Sequence, residues 1–203
     1  MYDFALFGHL VGVVLLVGAV TTTVVAMVRA QRAATVAEVA SLTAVTKKID
    51  AVIGPAMLLI LAPALYMVAR GGDDGGIHWT SGWVVVALLV FLLMAVLGPT
   101  VEARHAKGLL RLASELPDGP VPPELDAARR APAGVYVSFF GVSQILAFLY
   151  LMTNKPGFPG SITACLIAAL LSVVVAAARL RALNTPATVT TRAPAAPDPA
   201  VGA

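Results

Sequence analysis

Apolar residues do not alternate with polar ones along this chain. They gather into five uncharged runs, at residues 4–28, 51–69, about 79–101, 131–154 and 156–178. A helix needs about 20 residues to cross a hydrocarbon core roughly 30 Å thick, and each run approaches or exceeds that length. The pattern predicts an all-α polytopic membrane protein, a bundle of five transmembrane helices within residues 1–183.

Two connections carry helical signals of their own. In residues 33–49, Val36, Val39, Leu42, Val45 and Ile49 recur every three to four positions, which suits a helix lying on the bundle or continuing a span. Residues 102–116 read as a continuation of the third span, ended by the breaker-rich PDGPVPPE. Residues 184–203 have the Pro/Ala/Thr composition of a disordered tail unless a partner docks it.

Composition agrees: 59% of the 203 residues are hydrophobic and 12% charged, against about 25% charged in a soluble domain. The net charge of +3 reports topology before nucleic acid, and no nucleic-acid partner is expected. Arg29, Arg32, Lys47 and Lys48 lie between spans one and two, and Arg104, Lys107, Arg111, Arg129 and Arg130 between three and four. Arg179, Arg181 and Arg192 follow span five. Only Arg70 and Lys155 remain for the opposite side, which predicts an outside N-terminus and a cytoplasmic C-terminus in a bacterial plasma membrane. MYDFALFGHL lacks the basic start of a cleaved leader and reads as part of a retained span. Cys165 is the single cysteine, so no intrachain disulfide or multi-cysteine metal site is available. No internal repeat is visible, and an odd number of spans does not halve as many transporters do.

His9 is the most informative polar residue within a span, roughly 7 to 8 Å below the outer end of the first helix at about 1.5 Å per residue. At that depth it should face protein or water, either as a haem or metal ligand, as a proton-handling group, or in an interhelical hydrogen bond. Tyr66, Trp83 and Tyr150 fall in the same stratum, where a pocket competes with the ordinary aromatic belt. His78, in the loop RGGDDGGIHWT beside Asp73 and Asp74, is the one histidine on the same predicted side and hence the only partner for a two-histidine haem or copper site. His105, beside Arg104 and Lys107, reads as a solvated interfacial residue. Asp50 reads as a local cap or ion-pair partner at the start of span two.

Other features concern association. Gly8 and Gly12 make a small-xxx-small pair in span one; Ser161, Cys165, Ala168, Ala169, Ser172 and Ala176 form a small-residue stripe in span five. Such stripes let helices approach in lipid, within one chain or against another subunit. Gln144, near mid-membrane, is expected to hydrogen-bond across helices. Pro55, Pro63 and Pro99 can kink helices and free carbonyls. No phosphate loop, HExxH or G-x-S-x-G motif is present, and none of the five runs holds a charged side chain, so catalysis has few candidate residues.

FGHLVGVVLLVGAV in span one, KKIDAVIGPAMLLILAPALYM around span two and YLMTNKPGFPG between spans four and five resemble the bacterial integral-membrane family of unknown function numbered twenty-two sixty-nine. The resemblance runs over most of residues 1–180. Its recognisable parts are the His–Leu–x–Gly of the first helix and the Met-x-x-Lys-Pro-Gly loop. The first-helix motif is also similar to copper-resistance membrane proteins and membrane protoporphyrinogen oxidases, which implies a ligand role for His9; this chain lacks a second intramembrane histidine and a Met/His cluster. The expectation is a non-catalytic accessory or assembly subunit of a larger membrane complex, respiratory among the candidates, surrounded by lipid and other membrane subunits and with no cofactor of its own. The alternative is a haem- or copper-associated redox or transport protein using His9.

Overall fold

The computed structural model describes residues 1–71 and 77–185. It is helical: α1 (Tyr2–Ala30), α2 (Val36–Ala69), α3 (Gly82–Leu97), α4 (Ala103–Glu115), α5 (Pro123–Arg129), α6 (Pro132–Asn154) and α7 (Phe158–Asn184), with a π-helical turn at Gly98–Glu102 joining α3 to α4. Five rods result that are long and apolar enough to span a membrane, α3 and α4 counting as one from Gly82 to Glu115, and α5 and α6 as one from Pro123 to Asn154. In lipid this is the outcome physics allows, since helices satisfy their backbone donors and acceptors internally. Of the tail expected at residues 184–203, Asn184 is the last residue of α7, and residues 186–203 lie outside the described residues.

Helix α1 buries His9, Gly12, Leu16, Ala19, Thr23, Ala26 and Ala30. Their strict three–four spacing makes a straight seam of mostly small side chains, while Phe4, Phe7, Leu10 and Val14 face outward. The seam packs most extensively on α2, α6 pairs with α7, and α3 lies against α6 and α7. Leu16, Ala56, Ile60 and Phe91 form one core cluster; Val86, Ala147, Leu151, Cys165 and Ala168 form another.

The extramembrane signals in residues 33–49 and 102–116 are continuations of spans. Helix α2 has 34 residues, about 51 Å at 1.5 Å per residue, and so overshoots a roughly 30 Å core by several turns. Its overhang packs against α4 and α5 in a small separate core of Ala33, Val36, Val39, Leu109, Ala113 and Leu125. Thr35 caps α2, its Oγ1 accepting from the Glu38 N–H at 3.2 Å, as Thr and a following Glu at a helix start predict. Asp50 therefore lies inside α2 and cannot cap it. The breaker-rich stretch after α4 is tied to the same cap: Val36 N–H donates to Gly119 O at 3.0 Å and Val121 N–H to Ala34 O at 3.3 Å.

Three of the basic residues that report topology also close the ends of helices. Arg129, buried, donates from Nη1 to Ala30 O and Ala33 O at 3.0 and 2.7 Å and pairs with Asp126. Arg179 reaches Val28 O at 3.2 Å and Gln31 Oε1 at 3.1 Å, and Arg130 reaches Leu183 O at 2.6 Å. Each guanidinium satisfies carbonyls orphaned near a helix C-terminus and opposes its partial negative charge.

Candidate functional site

The site begins with a local conflict in α2. Pro63, inside α2, has no N–H to donate to Leu59 O four residues back. Gly12 on α1 lies against this turn so closely that a Cβ would sit 2.9 Å from Ile60 N and Leu59 C. One turn earlier, His9 reaches across and its Nδ1 bonds Ile60 O at 2.9 Å. A carbonyl only accepts, so Nδ1 carries a hydrogen and Nε2 is the ring nitrogen left for another partner.

His9 lines an open cavity of about 360 Å³ between α1, α2, α3 and α6, within the range of small-molecule sites, about 300–1,000 Å³. Its wall is largely Leu, Val, Ile, Ala and Phe, with Tyr2, Trp79, Trp83 and Lys155 as the other polar-tipped residues. Lys155 follows α6 with φ +45 and is the one non-glycine residue with positive φ among the described residues. Only a tight turn before Pro156 explains a lysine in that conformation, which ordinarily favours glycine or asparagine. Here the exposed residue lies at the rim of the cavity.

Two further voids continue the column. Leu16, Phe91 and Phe148 line both the His9 cavity and a second of about 70 Å³. Thr23, Glu102 and Ser138 line that second void and a third of about 40 Å³, whose wall includes His105 and Arg129.

Of the aromatic stratum expected around His9, only Trp83 joins it in the cavity. Tyr66 instead lies under Arg70, whose Cζ is 5.5 Å from the ring centroid, and Tyr150 faces outward. His78 is exposed; its neighbours Ile77 and Trp79 line the cavity and it does not. Asp73 and Asp74 lie outside the described residues. His105 is not solvated: its ring is half-buried against Gly134, where a Cβ would sit 2.6 Å from its Cδ2. Gln144, 1% exposed, donates from Nε2 to Cys165 O at 3.2 Å and leaves Oε1 without a partner among the described residues. Gly8 makes ordinary contact with Pro63, and Ser161, Cys165 and Ser172 are buried within the bundle. The span-five stripe is thus occupied by internal packing.

Sequence reasoning missed Lys155 as a cavity residue. The signal available was its place in the recognisable Lys-Pro-Gly loop. Among the described residues no group of three or more His, Cys, Asp or Glu lies close enough together to hold a metal ion. Haem would find one axial nitrogen, His9 Nε2.

No curated protein and no solved structure matches the chain. The first four spans, the His9 turn and Lys155 fall within residues 4–156, which match the family model described as a predicted integral membrane protein, DUF2269, and the chain belongs to that family.

Proposed function

We propose that this chain is a non-catalytic membrane protein that holds an amphipathic small molecule in the His9 cavity, serving as an accessory subunit of a larger assembly in the bacterial plasma membrane, a respiratory complex being the first candidate. The observation that carries the reading is that His9, its Nδ1 bonded to Ile60 O, and Lys155 at the rim both line one largely apolar cavity. An apolar body would fill the wall, an acidic head would meet Lys155, and a hydroxyl would meet His9 Nε2. A porphyrin with carboxylate side chains belongs to the same chemical class, with His9 as its iron ligand, and that is the form the haem alternative takes here. The charge distribution, which puts Lys155 at the outer face, has the ligand entering from that side.

The test is purification in mild detergent, followed by solvent extraction, mass spectrometry and an absorbance spectrum of the same sample, for the native chain, Ala87→Phe and Lys155→Gly. Ala87 lines the cavity, so a phenyl ring there displaces the occupant, while glycine at 155 relieves the left-handed turn and removes the cation. A stoichiometric amphiphile present in the native chain and lost from both helical, folded variants supports the reading. Its absence from the native chain, or equal retention in Ala87→Phe, overturns it. Membrane proteins recovered with the native chain identify the assembly, and recovery of the chain alone refutes the accessory role.

A further inference from the structure

We propose that the 40 Å³ cavity at the far end of the bundle from His9 binds a monovalent cation, sodium in the first instance, between Glu102, Ser138 and Thr23. The argument starts from the backbone. Pro99 falls in the π-helical turn Gly98–Glu102; such a turn shifts helix register and is frequent at functional sites. It lies immediately before α4, and Glu102 at its end lines the void. Ser138 on α6 donates to Glu102 Oε1 at 2.8 Å.

Three of the four hydroxyl groups around the void have their hydrogens committed. Thr43 donates to Val39 O at 2.7 Å, Thr46 to Leu42 O at 3.5 Å, and Ser138 to Glu102. Each hydroxyl has one hydrogen and two lone pairs, so what these groups offer is oxygen lone pairs. Thr23, 4% exposed, lines the same void, and its Oγ1 has no partner among the described residues. A buried hydroxyl without a partner marks a bound water or ion. Arg129, the cation in the wall, is engaged by Ala30 O, Ala33 O and Asp126.

Carboxylate and hydroxyl oxygens suit a hard cation, and a single carboxylate matches a single positive charge, whereas calcium draws on several. Asp50 is near enough to Glu102 to act on it electrostatically, and Lys107 acts on Asp50 in turn. At about 10–15 Å³ per water-sized probe, the void holds one ion and about two waters. His105, packed on Gly134, closes its wall.

The experiment measures thermal unfolding of the purified chain at fixed pH and ionic strength in sodium, potassium or choline chloride, with retention of radiolabelled sodium on the same samples. The expected result is a saturable rise of the midpoint in sodium over choline and about one label per chain, both abolished in Glu102→Gln. Thr23→Val keeps the shape, removes the orphaned hydroxyl and so folds at least as well in choline; there the sodium affinity falls about tenfold, the worth of roughly 1.4 kcal/mol. An equal response to potassium supports an unselective monovalent site. Identical midpoints in all three salts with no retained label overturn the proposal and leave a water-filled void. Sodium binding unchanged in both variants also overturns it. With the melts repeated at a second pH, a midpoint that follows pH but not sodium assigns Glu102 a proton instead and overturns it as well.

Discussion

Gly8 and Gly12 belong to one sequence motif, yet the structure predicts opposite sensitivities to the same added methyl group. At Gly12 a Cβ would stand 2.9 Å from Ile60 Cγ1, Ile60 N and Leu59 C, whereas ordinary contact begins at 3.4 Å. Two of the three obstacles are backbone, so no rotamer change relieves them, and α1 must retreat from α2 by about 0.5–1 Å. Overpacking of this kind costs about 1–3 kcal/mol. The retreat also stretches the bond from His9 Nδ1 to Ile60 O, now 2.9 Å, beyond useful hydrogen-bond range, which adds about 0.6–2 kcal/mol in a membrane bundle. Gly12→Ala should therefore lose about 1.6–5 kcal/mol. At Gly8 the nearest atom is Pro63 Cγ at 3.7 Å, so Gly8→Ala makes a normal contact and should stay within about 0.5 kcal/mol of the native chain. Reversible unfolding in mixed micelles of rising dodecyl sulfate content reads both. A Gly12→Ala protein within about 1 kcal/mol of native, or a Gly8→Ala protein that loses as much as Gly12→Ala, would refute the close approach and with it the placement of His9.

Gly134→Ala drives a methyl group into the His105 ring and should destabilise by about 1–3 kcal/mol in the same assay, with His105→Ala in the same chain restoring most of the loss. Arg129→Met strands the carbonyl of Ala33 and leaves Ala30 O with only the Ala33 N–H, and should cost about 1–3 kcal/mol; a neutral result would mean that water reaches Ala33 O. Gln144→Leu gives up one 3.2 Å bond but also removes a buried oxygen that has no partner, so the net change should be under about 1 kcal/mol, and a loss above 2 would show that its oxygen is engaged. Cys165, buried between α6 and α7, should resist maleimide labelling in mild detergent and react fully in dodecyl sulfate; rapid native labelling would contradict the packing of α7.

How far each feature was readable follows from how far its cause extends along the chain. The burial of His9 and of Ser161, Cys165 and Ser172 could be anticipated because intramembrane polar and small residues seek protein neighbours. Asp50 was misplaced because a helix beginning at Thr35 absorbs what reads as a separate polar connection. His105 looked solvated between Arg104 and Lys107, and only Gly134, on another helix, makes room for its ring. Lys155 was read for its charge, while its part in the cavity depends on a left-handed turn and on how α6 is set against α1 and α3.

The sequence alone determined the five spans and their order, because a span is a one-dimensional property: an uncharged run long enough for the bilayer must close its own backbone hydrogen bonds as a helix. Which side of each helix faces its neighbours was decided by the tertiary structure. Lipid is as apolar as a protein core, so hydropathy carries little inward or outward signal within the membrane. Steric detail does the selecting instead: a missing Cβ at Gly12, a missing N–H at Pro63, an imidazole long enough to reach the next helix. The same long-range packing sets Arg129 on the end of α1 and gathers Thr23, Glu102 and Ser138 from three helices around one void.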